Sequence, residues 1–362
     1  MNIALLYPTR EKKSTGVRNL TKGTIIETLN VDLSNQYTLF DDPYFGTGSM
    51  PFSTIRWGGV GDVESCLRYD FMCYCKNIDI IHSYWPTFEF MRAKCVKLFT
   101  IYDLIPLIHP EWHPLSDYFD GPVRNSARKA DLIIADSKYT RKDVIEYYDI
   151  SPERVKVVYP GLMHTLDFTR ADLRILDKFN IHDEYIVSVS TIEPRKNLRG
   201  LIKGFIAYKQ THTHSKLKLV LVGEMGWDNE FEKDISQLNQ FRDSIIFPGF
   251  VSDEELVSLY QFALAVAYVS FYEGFGLPLL EALSAGKAVI SSDTTSMPEV
   301  CGEYACYCNP YDVDSIENAI EKVVTDETFR KHLEQNAKVQ ASKFSYKKAA
   351  KETIDIYSTF ER

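Results

Sequence analysis

At 362 residues the chain exceeds what one ordinary core fills, so two domains are the natural division. Hydrophobic residues make up 45% of it, which excludes a disordered chain, and a formal net charge of −9 argues against a dedicated nucleic-acid binder. The first predicted element is a short apolar strand over 3–7, "IALLY", with no basic region before it and no cleavage site after it. Such a start reads as that of a cytoplasmic domain rather than a signal peptide. A helical pattern follows over 17–31. The stretch 36–66, rich in Gly, Pro, Tyr and Phe, reads as an irregular loop or insertion. Strands are predicted at 78–83, 97–103, 131–137 and 155–160, with a helix at 138–149. This alternation implies parallel strands with crossover helices.

The pattern restarts around 160–175. Strands at 184–191, 217–223, 245–251, 264–270 and 287–293 are each trailed by a helix, the clearest of them at 197–210. Helix-like segments close the chain at 315–324, 327–342 and 346–360. Two doubly wound α/β units result. Ligands of such sheets bind beyond the carboxyl ends of the strands, so a cleft between the units is the expected site. No apolar run approaches the ~20 residues that span a bilayer.

Seven cysteines are an odd number in a sizeable chain and disfavour a disulfide framework. Cys73 and Cys75, and then Cys301, Cys306 and Cys308, lack the paired Cys-x2–4-Cys spacing of a structural zinc site, and core packing is expected of them. The charge is lopsided. Residues 1–165 hold 19 Lys+Arg against 20 Asp+Glu, and residues 166–362 hold 22 against 30. The first half is therefore compatible with an anionic surface, while the second would be repelled from one.

Two turns carry candidate chemistry. In "VSTIEPRKNLRGLI" (188–201) a strand gives way to a helix capped by Asn197, and Arg195 and Lys196 stand between them. Adjacent cations at the carboxyl edge of a sheet suit a diphosphate, Arg as a bidentate fork and Lys as a point charge. A solvated basic turn is the plain alternative. In "FYEGFGLPLLEAL" (271–283) a helix is expected from Leu277, with Pro278 in its first turn. Gly274 and Gly276 leave backbone N–H groups bare at that N-terminus, an anion-friendly arrangement. Glu273 precedes the loop and Glu281 lies about one turn into the helix. A carboxylate beside a phosphate pocket would be repelled unless it accepted hydrogen bonds from sugar hydroxyls. The alternative for Glu281 is a surface acid that stabilises the helix dipole.

Taken together, "TIEPRKN" (191–197), "YEGFGLPLLEALSAGKAVISSD" (272–293) and "PEV" (298–300) resemble the retaining glycosyltransferases of sequence family four, which have the GT-B fold: two Rossmann-like domains facing across a cleft. Glu273 and Glu281 form that family's Glu-x7-Glu signature. "FPGFVSDEELVSLYQFA" (247–263) is similar to its nucleotide-base loop, and "FSYKKAAKETIDIYSTF" (344–360) to its closing helix. "FTIYDLIPLIHPEW" (99–112) and "RKADLIIADSKYTRKDV" (128–144) resemble a subgroup that contains many mannosyl- and rhamnosyltransferases. The likeness covers about 97–360 well and 1–96 poorly.

The resemblance implies an acceptor-binding domain over 1–165, a nucleotide-sugar domain over 166–343, and a helix over 344–362 that returns to the first. It implies a retaining hexosyltransferase, in surface polysaccharide or glycoconjugate assembly, using a nucleotide diphospho-sugar donor and a glycan or lipid-linked acceptor. The setting would be cytoplasmic, with peripheral contact at the inner face of a membrane. Arg195 and Lys196 would bind the diphosphate, Glu273 would face the transferred sugar and Glu281 would hold the ribose. The loop Gly274, Phe275, Gly276 and Leu277 would cradle sugar and phosphate. Phe250 and Val251 would lie by the base. Gly16, Tyr102, Asp103 and Ser137 would contact the donor from the first half. Tyr102 stands where many relatives have a histidine.

No Asp-x-Asp stands where a metal would help, since "DVD" (312–314) follows the last strand. No metal or other cofactor is expected, because Arg195, Lys196 and the helix N-terminus can stabilise the leaving diphosphate. A sugar-nucleotide epimerase, a phosphorylase or a non-catalytic binding protein on the same scaffold would share these features. A dehydrogenase would not, because no Gly-x-Gly-x-x-Gly follows the first strand.

Overall fold

The computed structural model describes residues 1–7, 16–41, 54–56, 73–84, 86, 88, 91–113, 120–162, 166–228, 230, 231, 233 and 238–361. They form two compact units: Met1–Gly161 with Phe344–Arg362, and Leu162–Lys343.

In unit 1 the described strands are β1 (Asn2–Tyr7), β2 (Gln36–Asp41), β3 (Thr54–Arg56), β4 (Ile80–Ser83), β5 (Val96–Ile101), β6 (Leu132–Ala135) and β7 (Val155–Val157). They make one parallel sheet in the order β3-β2-β1-β4-β5-β6-β7. Ile3 and Leu5 of β1 face a cluster containing Ile25 of the helix Gly16–Val31 and Ala349 and Tyr357 of the helix Tyr346–Ser358. Ala4 and Leu6 face the opposite cluster, with Val123, Ala127 and Val144 of the helices Asp120–Lys129 and Lys138–Tyr148. Helices cover both faces, which is why these strands read as unbroken apolar runs rather than alternating ones.

The expectation of a loop over 36–66 needs correction. Gln36–Asp41 runs parallel to β1, pairing Asn2 with Gln36 and Leu5 with Leu39, and Thr54–Arg56 extends the sheet beyond it. Leu39 is buried in the core that β1 opens. Pairing with β1 overrides a local composition rich in turn residues. The rest of 36–66 lies outside the described residues.

Unit 2 repeats the architecture. Its described strands are β8 (Tyr185–Val189), β9 (Lys218–Val222), β10 (Ile245–Gly249), β11 (Ala265–Tyr268), β12 (Ala288–Ser292) and β13 (Cys306–Cys308), parallel in the order β10-β9-β8-β11-β12-β13. Ile186, Leu219, Leu221, Ala267 and Ile290 pack against Leu201, Phe205, Ile316 and Ile320 of the helices Leu198–Thr211 and Val313–Thr325. Cys306 and Cys308 belong to that core, on an edge strand that the sequence reading missed. Burial pushes the Cys301 and Cys308 thiols up to about 12, so both are inert core residues. Among the described residues no group of three His, Cys, Asp or Glu side chains is arranged to hold a metal. No described helix is long and apolar enough to cross a membrane.

Strand order reverses between β1 and β4 in unit 1, and between β8 and β11 in unit 2. In open α/β sheets the loops leaving the strands at such a reversal diverge and open a crevice. In unit 2 the two candidate turns leave β8 and β11. That is where this topology leads one to look for a ligand crevice.

Candidate functional site

Beyond β8 the chain makes a single 3-10 turn, Pro194–Lys196, and then enters the helix Leu198–Thr211 through Asn197. Asn197 adopts the left-handed conformation (φ 54°), which asparagine tolerates better than most residues. Its carboxamide oxygen caps the helix by accepting from the Gly200 N–H. Its amide nitrogen donates to the carbonyls of Val269 at 3.1 Å and Pro310 at 2.7 Å. One side chain thus ties together the turns beyond β8, β11 and β13. The turn is fixed before any ligand arrives.

The loop beyond β11 is fixed as firmly. The Phe271 N–H donates to the Arg195 carbonyl at 2.8 Å, and the Glu273 N–H to the Thr295 hydroxyl at 3.2 Å. The Ser296 hydroxyl donates towards the carbonyls of Glu273 and Phe275, at 3.0 and 3.1 Å. Gly276 caps the helix Leu277–Ser284 at φ 95°, a conformation that strains any residue with a Cβ. Pro278 sits in the first turn, as expected.

These two frames bring Arg195, Lys196 and Glu273 into direct contact. The Arg195 guanidinium lies 2.7 Å from one Glu273 oxygen and 2.6 Å from the Glu193 carboxylate. The Lys196 ammonium donates to the other Glu273 oxygen at 2.7 Å and to the Tyr268 hydroxyl at 2.7 Å. Tyr268 donates in turn to that same Glu273 oxygen at 2.8 Å. Glu273 is 6% exposed and Glu193 4%, so this is a buried quartet of two acids and two bases rather than a solvated basic turn. Desolvation alone would raise the Glu273 pKa. Arg195 and Lys196 outweigh it and hold the carboxyl down at about 2. Lys196 is shifted below its ordinary range by burial and by the adjacent Arg195, with Glu273 opposing.

Glu281 behaves differently. Its carboxylate accepts from the Tyr260 hydroxyl at 2.8 Å, and desolvation pushes its pKa up to about 7, with Asp253 adding to the rise. This is more than the alternative of a plain surface acid serving the helix dipole: the side chain is tied to Tyr260 of the helix Asp253–Gln261. Phe250, next to Gly249 at φ 75°, is 75% exposed at the end of β10, whereas Val251 is buried.

Three of the first-half candidates are neighbours within unit 1. Asp103 accepts from the Ile105 N–H at 3.0 Å, and Ser137 caps the helix Lys138–Tyr148 by accepting from Thr140 at 2.9 Å. The Thr140 hydroxyl donates to the Tyr102 carbonyl, and the Tyr102 hydroxyl lies 2.6 Å from that of Thr21. Burial raises the Tyr102 phenol well above 10, so this ring is a neutral hydrogen-bonding group. Gly16 is the first residue of the helix Gly16–Val31, and the loop that precedes it lies outside the described residues.

Sequence reasoning missed Glu193, Tyr268, Tyr260, Thr295 and Ser296. Glu193 stands in the quoted "VSTIEPRKNLRGLI", where nothing in the sequence marks its carboxylate as buried. Tyr268 had a faint signal, as the single phenol in the apolar run "LAVAYV" (264–269). Tyr260 had none, since only the packing of one helix against another brings it to Glu281.

Residues 174–340 match the family described as glycosyl transferases group 1, and residues 41–165 match glycosyltransferase family 4. Over 267 residues the chain is 33% identical to the serotype-specific mannosyltransferase WbdA of Escherichia coli, covering 71% of this chain and 32% of WbdA. It thus spans about a third of that protein. It is 32% identical over 265 residues to the O-antigen chain mannosyltransferase B of Escherichia coli, covering 71% of this chain and 69% of the relative. Among solved structures, sucrose-phosphate synthase from Thermosynechococcus elongatus superposes with a TM-score of 0.75 at 18% identity, over 99% of this chain and 98% of that one. HepE of Anabaena, solved with UDP and glucose, gives 0.74 at 18% identity, over 98% and 99%. At such identities the structural likeness speaks for the fold.

Proposed function

This chain belongs to the glycosyl transferases group 1 and has the GT-B fold, and on that premise we propose that it is a retaining, metal-independent hexosyltransferase. It moves a sugar from a nucleotide diphospho-sugar to a glycan or lipid-linked acceptor in surface polysaccharide assembly, at the inner face of a membrane. Unit 2 takes the donor and unit 1 receives the acceptor. Relatives that are O-antigen mannosyltransferases make mannose the first sugar to test, and HepE with bound UDP adds the uridine donors.

The observation that carries this reading is the buried Glu273, kept ionised by Arg195 and Lys196 at the carboxyl edge of the unit 2 sheet. A buried anion held by two cations costs desolvation, and its use is electrostatic. An incoming diphosphate would compete with Glu273 and Glu193 for Arg195 and Lys196, aided by the amides of Phe275, Gly276 and Leu277 at the helix N-terminus. Those cations and amides supply the positive charge that a metal supplies elsewhere, which is the reason to propose metal independence. As the glycosidic bond breaks, Glu273 faces the positive charge growing on the sugar. Its oxygens already accept from Arg195, Lys196 and Tyr268. With a pKa near 2 it is also a weak base. Both features favour charge stabilisation over covalent attack, and so a same-face displacement through an oxocarbenium-like transition state. Glu281 and Tyr260 would bind the ribose.

The test is a thermal-shift screen of UDP-, GDP- and dTDP-sugars, followed by transfer assays with the stabilising donor in the presence and absence of EDTA. A donor at ~100 times its dissociation constant adds about 2.7 kcal/mol of stability. Transfer with anomeric retention, undiminished by EDTA, is expected. Inversion, or a metal requirement, would overturn the corresponding part of the reading. Turnover that needs free phosphate, or no transfer from any donor, would overturn it outright.

A further inference from the structure

In unit 2 the large apolar side chains left exposed include Met225, Phe250 and Tyr311, which follow β9, β10 and β13. All three follow the carboxyl ends of strands, the face that carries the candidate site, with Phe250 and Tyr311 at opposite ends of the sheet. Tyr311 is 66% exposed, yet it is not loose. Its ring stacks on Phe271 with centroids 4.7 Å apart and planes 24° from parallel, and its N–H donates to the Asn309 side chain at 3.0 Å. The preceding carbonyl, Pro310, accepts from Asn197 at 2.7 Å, and the Phe271 N–H donates to the Arg195 carbonyl at 2.8 Å. The aromatic pair is therefore anchored to the same two turns as Arg195 and Glu273, and Phe271 lies two residues from Glu273. An exposed, pre-oriented ring of this kind offers a flat apolar face beside polar groups, which suits the C–H face of a pyranose.

Resting on the transferase reading, we infer that Tyr311, backed by Phe271, is a stacking platform for a sugar ring of the glycan acceptor, so that unit 2 contributes to acceptor recognition as well as to donor binding. The direction follows from the assignments already made. The nucleoside end of the donor lies towards Phe250 at the β10 edge, and the transferred sugar towards Glu273 beyond β11. An acceptor must approach the sugar end, and that is the side on which Tyr311 stands.

The experiment compares Tyr311→Ala and Tyr311→Trp with the wild type, using an α-mannosyl oligosaccharide series as acceptor and the donor selected by the screen. Tyr311→Ala should raise the acceptor KM roughly fivefold to tenfold while leaving the donor KM and nucleotide-induced thermal shift unchanged. Tyr311→Trp, which keeps a π-face, should retain an acceptor KM within about twofold of wild type. An unchanged acceptor KM in Tyr311→Ala would overturn the inference. So would an equal loss in Tyr311→Trp, or a rise in donor KM instead. Absence of transfer by the wild-type chain from every donor would overturn the underlying reading of function, which distinguishes the two failures.

Discussion

Each unit buries a polar cluster, and the two are opposites. In unit 1, His82 is 1% exposed, with one ring nitrogen 2.7 Å from the Tyr357 hydroxyl, the other 2.7 Å from that of Thr100, and its ring stacked on Tyr84. No cation or anion accompanies it in these contacts, and desolvation drives its pKa down to about 3. In unit 2, Glu273 is as deeply placed but lies against Arg195 and Lys196, and it stays ionised. Glu281 is intermediate: desolvated, and hydrogen-bonded to a tyrosine alone, it rises to about 7. Burial by itself discharges a titratable group; opposite charges hold Glu273 ionised against it, as hydrogen bonds from Ser34, Asn35 and Tyr37 do for the buried Asp32 of unit 1. The neutral cluster binds the closing helix to the sheet of unit 1. The charged one, at a strand reversal, is where chemistry is to be sought.

The largest effect should come from Glu273→Gln, which keeps the shape but removes the anion. If its charge acts in the transition state, kcat should fall by ~10²–10³ with little change in donor KM. The variant should also lose the acid sensitivity that Glu273 confers. Its folded pKa lies below the ordinary 4.5, so its contribution to stability is complete above pH 4.5 and is lost as pH falls towards 2. Steady-state kinetics and pH-dependent melting check both points. Wild-type kcat would make the quartet merely structural.

Next, Arg195→Ala or Lys196→Ala removes one of the cations that hold Glu273 and would meet the diphosphate. A loss of about 3 kcal/mol, roughly a hundredfold in kcat/KM, is expected. The Glu273 pKa should rise in both variants, which NMR titration of the labelled carboxyl would detect. An unmoved pKa would break the account given for its ionisation.

Glu281→Gln should spare kcat and raise the donor KM by about tenfold, as loss of a charge-assisted hydrogen bond to a group that does not change during reaction. The gap between wild type and variant should widen as pH rises through 7 and the carboxyl ionises. Stability moves the opposite way. The folded pKa is raised, so the benefit of the neutral carboxyl is complete below pH 4.5 and is lost as pH climbs to about 7. A pH-independent KM ratio would remove Glu281 from the binding site.

The smallest effect, and the control for the comparison, is Tyr357→Phe in unit 1. It leaves a buried His82 nitrogen without its partner, at a cost of about 1–3 kcal/mol and a fall of a few degrees in Tm. Both kcat and donor KM should be unchanged. A large loss of activity would show that the neutral cluster does more than bind a helix.

Much of this arrangement was legible in the chain because its causes are local. Apolar runs flanked by turn residues mark parallel strands covered on both faces, and Asn197, Pro278 and Gly276 mark helix starts through their backbone preferences alone. The spacing of Glu273 and Glu281 about a glycine loop, with Arg195 and Lys196 some eighty residues earlier, sufficed to point to the family. Three things were not legible. Gln36–Asp41 becomes a strand only because β1 is there to pair with it. The pair Glu193 and Arg195 meets the pair Tyr268 and Glu273 in one charged cluster only because β8 and β11 lie side by side. The two acids of one thirteen-residue segment acquire pKa values near 2 and near 7 only because one meets cations from a distant turn and the other meets a tyrosine from a neighbouring helix. Sequence determined most of the elements and the residue types at their ends. Charge state depends on what lies within a few ångströms through space, and that was decided by the tertiary structure alone.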